Sequence, residues 1–159
     1  MGDGDAVSVT REIAAPAEQV WALVSDVTRM GEWSPENDGA KWLKGATEAR
    51  PGAKFRGVNR RGKRTWSTLA TVVDAEPGRS FSFRVTAQGL KVADWAYGFE
   101  PTSGGCLVTE SWTDQRGRIV STVGKWLTGV DDRAAHNRAG MEQTLERLAA
   151  TAESTPAAP

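Results

Sequence analysis

The sequence contains one cysteine, Cys106, and one histidine, His136, in 159 residues. A single cysteine excludes an internal disulfide framework and a cysteine-based zinc cluster, and a single histidine excludes a histidine-rich metal centre. Net charge is also absent, because 20 basic side chains balance 20 acidic ones. A chain without net charge generates no overall field that would attract nucleic acid or an anionic membrane. We therefore expect neither a metal nor a nucleic acid as a partner.

Long hydrophobic runs are missing as well. No segment approaches the ~20 apolar residues that cross a membrane, and the acidic residues 1–9 do not resemble a secretory signal. The glycine-containing segments match no phosphate-binding loop, and the zinc-protease motif HExxH does not occur. These absences predict a cytoplasmic protein that does not insert stably into membranes and that needs no cofactor.

The composition predicts a single folded domain. A hydrophobic fraction of 39% suffices for a sizeable core in a chain of this length. Residues 1–5 and 153–159 are polar or rich in proline and alanine, so we expect disordered tails around a domain of residues 6–152. Seven tryptophans stand against one tyrosine. Such large rings are expected either in the core or on the wall of a binding site.

Period-two alternation of apolar and polar residues predicts seven strands. Val7, Val9 and Ile13 alternate with polar residues, which is typical of a half-buried first strand. Arg61-Gly62-Lys63 has the length and glycine content of a hairpin loop between two later strands. Six segments with strand-like patterns follow one another: 38–46, 53–60, 64–75, 81–85, 95–99 and 107–113.

Helical periodicity occurs at two places in the chain. After Pro16, apolar residues at three- and four-residue steps predict a short helix, and Asp26 is placed to cap a second one. Beyond the last strand, a long apolar stripe breaks near Gly129 into predicted helices at 118–127 and 131–152. Antiparallel strands in sequence, with helices segregated to one side, indicate an α+β fold.

Several short motifs along the chain occur together in one known superfamily. They are Ala15-Pro16-Ala17, Val20-Trp21, Trp33-Ser34-Pro35, Glu76-Pro77-Gly78, Trp95-Ala96-Tyr97, Glu100-Pro101, Gly104-Gly105, Val108-Thr109-Glu110, His136-Asn137 and Gly140-Met141. Over residues 6–152 the chain resembles the START-like, helix-grip superfamily, also called SRPBCC, in its bacterial polyketide cyclase/dehydrase-like branch. The resemblance implies a curved antiparallel sheet around a long C-terminal helix. It further implies a deep cavity between sheet and helix, a hydrophobic ligand and no obligatory metal.

Some aromatic side chains of such a sheet should line the cavity, because the sheet must both contact a helix and leave a gap. We predict that a ligand contacts seven side chains: Trp66, Phe83, Trp95, Tyr97, Glu110, Trp112 and, from the C-terminal helix, Met141. Alternating rings on strands are equally typical of an ordinary core, and the sequence leaves that alternative open.

Glu110 has the most distinctive chemistry among these candidates. It shares a strand face with Trp112, so it points inward if Trp112 does. A buried carboxyl group is costly unless it is paired, and burial raises its pKa. Glu110 and Tyr97 are therefore candidates for general acid–base catalysis, or for hydrogen bonds to a ligand hydroxyl or carbonyl. The alternatives are an ion pair of Glu110 with Arg84 or Arg56, or an outward-facing strand.

The remaining polar and reactive groups favour structural roles. His136 lies roughly 140° from Met141 on a helical wheel, so it should face solvent or a loop. Asn137 is nearer to the apolar stripe and is a better candidate for a polar contact with the sheet. Cys106 reads as a small buried hydrophobic residue. A basic cluster is interpreted as a solvated hairpin tip, with an anionic partner or membrane surface as the alternative: Lys54, Arg56, Arg60, Arg61, Lys63 and Arg64.

Three functional hypotheses follow. The first is binding of a small hydrophobic or amphipathic ligand (a lipid, a polyketide or another aromatic metabolite) between sheet and helix. The second is a polyketide aromatase/cyclase-type enzyme in which Glu110 and Tyr97 transfer protons while the cavity holds the chain in one folded shape. The third is a partner-binding module, such as a dimer formed through an exposed sheet face or Trp42. The sequence leaves the ligand and the oligomeric state open.

Overall fold

A computed structural model of the chain describes residues 6–116 and 132–155. Its elements are β1 (Ala6–Ile13), α1 (Ala17–Ser25), a 3-10 helix (Val27–Glu32), β2 (Asn37–Trp42), β3 (Lys54–Arg61), β4 (Arg64–Glu76), β5 (Ser80–Ala87), β6 (Leu90–Thr102), β7 (Gly105–Asp114) and α2 (Arg133–Ser154). This order confirms the order that the periodicity predicts. The helix predicted at 118–127 lies outside the described residues, as do residues 1–5 and 156–159 of the predicted tails.

The seven strands form one curved antiparallel sheet with the order β1-β7-β6-β5-β4-β3-β2. Strands β2 to β7 pair in sequence order, whereas β1 pairs with β7. The chain therefore passes from one edge of the sheet to the other through α1 and the 3-10 helix. Register shifts between Val72 and Asp74, and between Val85 and Thr86, mark irregularities of the kind that bend strands. The prediction of a helix-grip α+β fold is confirmed.

Local hydrogen bonds fix the two short helices. Pro16 takes an extended conformation at the N-cap of α1, where its missing N–H is no loss. The Asp26 carboxylate accepts a hydrogen bond from the Thr28 backbone N–H at 3.2 Å and so caps the 3-10 helix, as predicted. The indole Nε1 of Trp21 donates to the Ser80 carbonyl oxygen at 2.7 Å, which ties α1 to the start of β5.

Helix α2 packs against β1, β7 and α1, so it covers one end of the sheet. Its buried face confirms the predicted apolar stripe through Met141 and Leu148. The buried residues of α2 are Asn137, Met141, Thr144, Leu145, Leu148, Ala149 and Ala152.

Hydrogen bonds hold both ends of α2. At the N-terminus the Asp132 carboxylate accepts a hydrogen bond from the Ala135 backbone N–H at 3.1 Å. At the C-terminus the Glu153 carboxylate accepts one from the Ala14 backbone N–H at 3.0 Å. The helix reaches Ser154, so it extends two residues into the segment for which composition predicts a disordered tail. The contact with Ala14 explains this difference, because the end of β1 lies beside the last turn of α2.

The inner face of the sheet has two regions. Where α1 and α2 lie over it, the side chains are sealed from solvent; we refer to these as the closed region: Ile13, Val20, Phe81, Phe99, Cys106, Val108, Leu145, Leu148, Ala149 and Ala152. The rest of the inner face, on β3 to β7, borders a gap beneath the first half of α2. This gap is the candidate site.

Candidate functional site

A cavity of about 1360 Å³ lies between the inner face of the sheet and α2, and it is partly open to solvent. Strands β3 to β7 form one wall. The other is formed by residues 133–144 of α2, residues 34–36 of the loop before β2, and Asn37 at the start of β2. The cavity exceeds the roughly 300–1,000 Å³ of ordinary small-molecule sites. It therefore offers space for a ligand of several rings or for a long chain.

Aromatic rings line the sheet side of the cavity. Trp95 lies in register between Phe83 on β5 and Trp112 on β7. The Phe55 ring meets the Phe83 ring edge to face, with centroids 5.1 Å apart. All seven side chains that were predicted to contact a ligand line this cavity: Trp66, Phe83, Trp95, Tyr97, Glu110, Trp112 and Met141. Their contact with a ligand remains a prediction.

Tyr97 and Glu110 form the floor of the cavity. Along β6 the lining stops at Tyr97, and along β7 it stops at Glu110. The next inward-facing residues on these strands, Phe99 and Val108, belong to the closed region. Tyr97 and Glu110 are register partners, and the Tyr97 hydroxyl oxygen lies 2.8 Å from Glu110 Oε1. The floor is thus a single hydrogen-bonded polar pair at the base of an aromatic wall.

The second carboxyl oxygen of Glu110 is unsatisfied. Glu110 is only 2% exposed, and its Oε2 has no hydrogen-bond partner among residues 6–116 and 132–155. Burial raises the pKa of Glu110 to about 8, and the hydrogen bond with Tyr97 lowers it only in part. Burial, and then the charge of Glu110, also raise the pKa of Tyr97 well above its ordinary value. Both groups are therefore mostly neutral at pH 7.

The predicted alternative of an ion pair between Glu110 and an arginine is wrong. Arg84 donates to the carboxylate of Asp94 at 2.7 and 2.9 Å. Arg84 precedes Val85 and follows Phe83, which both face inward, so its own side chain faces outward. Arg56 follows the inward-facing Phe55 on β3, so its side chain also faces outward. Strand alternation thus places both arginines on the opposite face of the sheet from Glu110.

Charged side chains surround the mouth of the cavity. The Glu36 carboxylate accepts hydrogen bonds from Arg133 Nη1 at 3.0 and 3.1 Å, and its Oε2 lies 2.7 Å from His136 Nε2. His136 therefore faces a loop, as the helical wheel predicts, and this contact fastens the start of α2 to that loop. The Arg116 side chain pairs with Asp114 at 2.8 Å. An apolar interior thus ends in a polar rim.

The basic cluster extends to this mouth. Arg60 pairs with Asp38 at 3.0 Å, and Lys54 Nζ donates to Thr71 Oγ1 at 2.8 Å. The turn at Gly62 and the adjacent Arg61 line the cavity entrance. The predicted solvated hairpin tip is therefore also part of the rim of the cavity.

Phe55 and Glu36 are among the lining residues that sequence reasoning missed. Phe55 packs between Trp42 and Phe83, and its alternation with the exposed Arg56 on β3 would have identified it as inward-facing. Glu36 lies in a turn, where no periodicity indicates which way its side chain points. Trp42, which was predicted as a docking residue, is only half-buried, and its ring meets the Phe55 ring at 5.6 Å.

Other chemistry is not supported by the part of the chain that the structure describes. Within residues 6–116 and 132–155, no group of three or more His, Cys, Asp or Glu side chains is arranged to hold a metal ion. Cys106 is buried in the closed region, as predicted, and burial raises the pKa of its thiol. No helix in the described segments is long and apolar enough to cross a membrane.

Comparison with known families agrees with this architecture. A family model described as "Polyketide cyclase / dehydrase and lipid transport" matches residues 5–153. A search of curated protein sequences returns no match.

Solved structures show the same fold. The solution structure of a Polyketide_cyc-like protein, Cgl2372 from Corynebacterium glutamicum, is 34% identical, with a TM-score of 0.54 over 95% of this chain and 85% of that chain. Major latex-like protein 151 from Panax ginseng is 13% identical, with a TM-score of 0.70 over 98% of this chain and all of that one (100%).

A third structure comes from a biosynthetic pathway. The di-domain ARO/CYC protein StfQ of steffimycin biosynthesis is 15% identical, with a TM-score of 0.71 over 93% of this chain and 50% of that chain. This chain therefore spans about half of StfQ. At such identities the ginseng protein and StfQ show a shared fold alone.

Proposed function

Since the chain belongs to the polyketide cyclase / dehydrase and lipid transport family, we propose that it binds a small hydrophobic or amphipathic molecule in the cavity. The ligand is a lipid, a polyketide or another aromatic metabolite. The observation that carries the proposal is the aromatic-walled cavity of about 1360 Å³ between the sheet and α2.

The size and lining of the cavity support this class of ligand. Its volume equals that of roughly 45 water molecules at about 30 Å³ each. Releasing water from aromatic walls favours an apolar occupant. A ligand that buries about 300 Å² of apolar surface gains roughly 7 kcal/mol at about 25 cal/mol per Å², before the entropic cost of association. The polar rim, with Arg133 and His136, suits an amphipathic molecule whose polar end stays at the mouth.

Native mass spectrometry of the purified protein tests this proposal. We expect a co-purifying hydrophobic species, near one per chain, that solvent extraction releases and identifies. Trp95→Ala should reduce its occupancy, because Trp95 is a half-buried wall residue. The control is Trp21→Ala, since Trp21 is also half-buried but lies outside the cavity lining. An empty protein that also fails to take up oleate or 1-naphthol contradicts the proposal, as does equal loss in both variants.

A second candidate function is cyclisation of a polyketide chain. The observation that favours it is the buried, hydrogen-bonded pair of Glu110 and Tyr97 at the cavity floor. Burial raises the pKa of Glu110 to about 8, and a neutral carboxyl group in an apolar cavity suits proton donation to a ketone oxygen during aldol closure. The walls would hold the flexible chain in one shape, which lowers the entropic part of the barrier. The ARO/CYC description of StfQ belongs to that protein and supports only the class of reaction.

Kinetics of Glu110→Gln separate the two functions. If Glu110 is a general acid, this variant loses turnover of a poly-β-ketone thioester by roughly 10²–10⁴-fold while substrate affinity persists. Unchanged turnover removes Glu110 from a catalytic role. No turnover in the unaltered protein, together with tight binding, leaves ligand binding as the function.

A further inference from the structure

We propose that the Tyr97 hydroxyl, held by Glu110, donates a hydrogen bond to a carbonyl oxygen at the buried end of the ligand, so that the cavity selects ketones over hydrocarbons of the same shape. The inference rests on the proposed binding function and narrows its ligand class. Tyr97 touches the ligand in this account, whereas Glu110 is a positioning residue.

Neutral Glu110 carries one carboxyl proton, which can lie on either oxygen. When Glu110 is neutral, its proton lies either on Oε2, which is buried without a partner, or on Oε1, which lies 2.8 Å from the Tyr97 hydroxyl oxygen. A buried donor without an acceptor is more costly than a carbonyl-type oxygen without a donor. Once an acceptor in the cavity takes the proton of the Tyr97 hydroxyl, the Glu110 proton is therefore favoured on Oε1, from which it is donated to the Tyr97 oxygen.

The charge of Glu110 decides where the proton of the Tyr97 hydroxyl points. A phenol hydroxyl has one proton to donate. If its oxygen accepts from neutral Glu110, that proton is free to point into the cavity that Tyr97 lines. If Glu110 is ionised, the carboxylate takes the Tyr97 proton in a charge-assisted hydrogen bond, and only phenol lone pairs face the cavity. The floor is thus a donor when Glu110 is neutral and an acceptor when it is charged.

Tyr97 and Glu110 lie at the deepest point of the cavity. Phe99 and Val108 close the sheet immediately beyond it, so the pair meets whatever end of a ligand is inserted furthest. A hydrocarbon end would leave the Tyr97 hydroxyl without an acceptor in a site shielded from water. A carbonyl oxygen satisfies it.

Other titratable groups do not face Glu110 among the described residues. Its register partner on β1 is Val9, and its partner on β6 is Tyr97. From α2, the buried side chains that line the cavity are Asn137, Met141 and Thr144, none of which ionises. Among the charged groups of the rim, Arg116 pairs with Asp114, Arg133 and His136 contact Glu36, and Arg60 pairs with Asp38. The guanidinium of Arg61 belongs to the hairpin at the entrance, away from the floor. Glu110 ionises near pH 8 in this setting.

The test compares two probes of nearly equal shape, 2-acetylnaphthalene and 2-isopropenylnaphthalene, in which a methylene group replaces the carbonyl oxygen. Tryptophan fluorescence titrations give both dissociation constants below and above pH 8, with circular dichroism as the check of folding. Below pH 8 we expect about tenfold tighter binding of the ketone. Above pH 8 this preference should disappear, and the carbonyl infrared band of the bound ketone should return toward its frequency without a hydrogen bond.

Two variants make the test specific. Tyr97→Phe should bind both probes equally at every pH. Glu110→Gln should keep the ketone preference and lose its pH dependence, because an amide N–H donates to the Tyr97 oxygen without titrating. His136 is unchanged in Glu110→Gln, so a pH dependence that arises at the rim would persist there and contradict the proposal.

The outcomes separate this inference from the proposed function. If both probes bind equally to the unaltered protein at all pH values, the inference fails and the binding function stands. If the ketone preference survives in Tyr97→Phe, the inference also fails. If neither probe binds, the proposed function itself fails for this class of ligand.

Discussion

The closed region and the cavity lining are built on the same strands, but the first is packed as core and the second borders empty space. Along β7, Val108 is fully buried in the closed region, whereas Glu110, two residues on, forms the cavity floor. The two regions show the same alternation of inward and outward residues. They differ in the helices above them, because α1 contacts β5 to β7 and α2 contacts β1 and β7 over the closed region, whereas the first half of α2 leaves a gap over the rest of the inner face. The positions of the two helices therefore decide whether an apolar face becomes core or binding site.

Truncation of a large side chain should have the largest effect in the closed region. Leu148→Ala leaves a void beneath α2, because Leu148 is fully buried, and we expect a loss of about 2–5 kcal/mol in the free energy of unfolding. Trp95→Ala should cost much less stability, since one side of its ring already borders the cavity. Urea denaturation measures both values. Equal losses would mean that the cavity is packed like the core.

The pH dependence of stability should report on the floor. The pKa of Glu110 is raised to about 8 in the folded protein from an ordinary value of 4.5. The folded state thus holds a proton that the unfolded state releases, and stability falls as pH rises from about 4.5 to 8. Between pH 5 and pH 7.5 this loss amounts to about 3 kcal/mol at roughly 1.4 kcal/mol per pH unit.

Glu110→Gln is the matched control for this pH dependence. It lacks the ionisable group, so its stability curve should be flatter over the same pH range. Other carboxyl groups, such as Asp94, whose pKa is lowered by its hydrogen bond from Arg84, are present in both proteins and cancel in the difference. Parallel curves for the two proteins would show that Glu110 is not buried as described.

Insertion of a large side chain tests whether the cavity has empty space that the closed region lacks. Ala149 is 1% exposed on the buried face of α2, so Ala149→Trp should overpack the closed region and cost about 1–3 kcal/mol. Thr68 lines the cavity and is half-buried, so Thr68→Trp should fill empty space with little change in stability and with weaker ligand binding. Thermal unfolding with and without 1-naphthol measures both effects. If the two substitutions destabilise equally, the distinction between the regions is wrong.

The smallest expected effect concerns the start of α2. Asp132→Ala removes the hydrogen bond to the Ala135 backbone N–H, which should cost about 1 kcal/mol. This end of α2 lies at the cavity mouth, so hydrogen exchange should speed up there before it does in the last turns of the helix. Asp132→Asn retains the cap and serves as the control. Uniform acceleration along the helix would argue against a separately anchored mouth.

Much of the fold and of the cavity lining could be predicted from the sequence because strand alternation assigns each residue to a face. Trp95 and Tyr97 share a face on one strand, and Glu110 and Trp112 share a face on the next. Register and loop contacts could not be predicted. The pairing of Tyr97 with Glu110 depends on the turn between β6 and β7, and the contact of Glu36 with His136 depends on a turn without periodicity. The cavity volume depends on how α2 lies across the sheet, which no local pattern specifies.

Xenon binding in a crystal tests the central claim most directly, because xenon enters apolar cavities and is excluded from close-packed cores. The account predicts xenon density against Phe83 and Trp95, beneath the first half of α2, and none beside Leu148 in the closed region. Density beside Leu148, or a collapsed gap with no xenon near Trp95, would contradict the account.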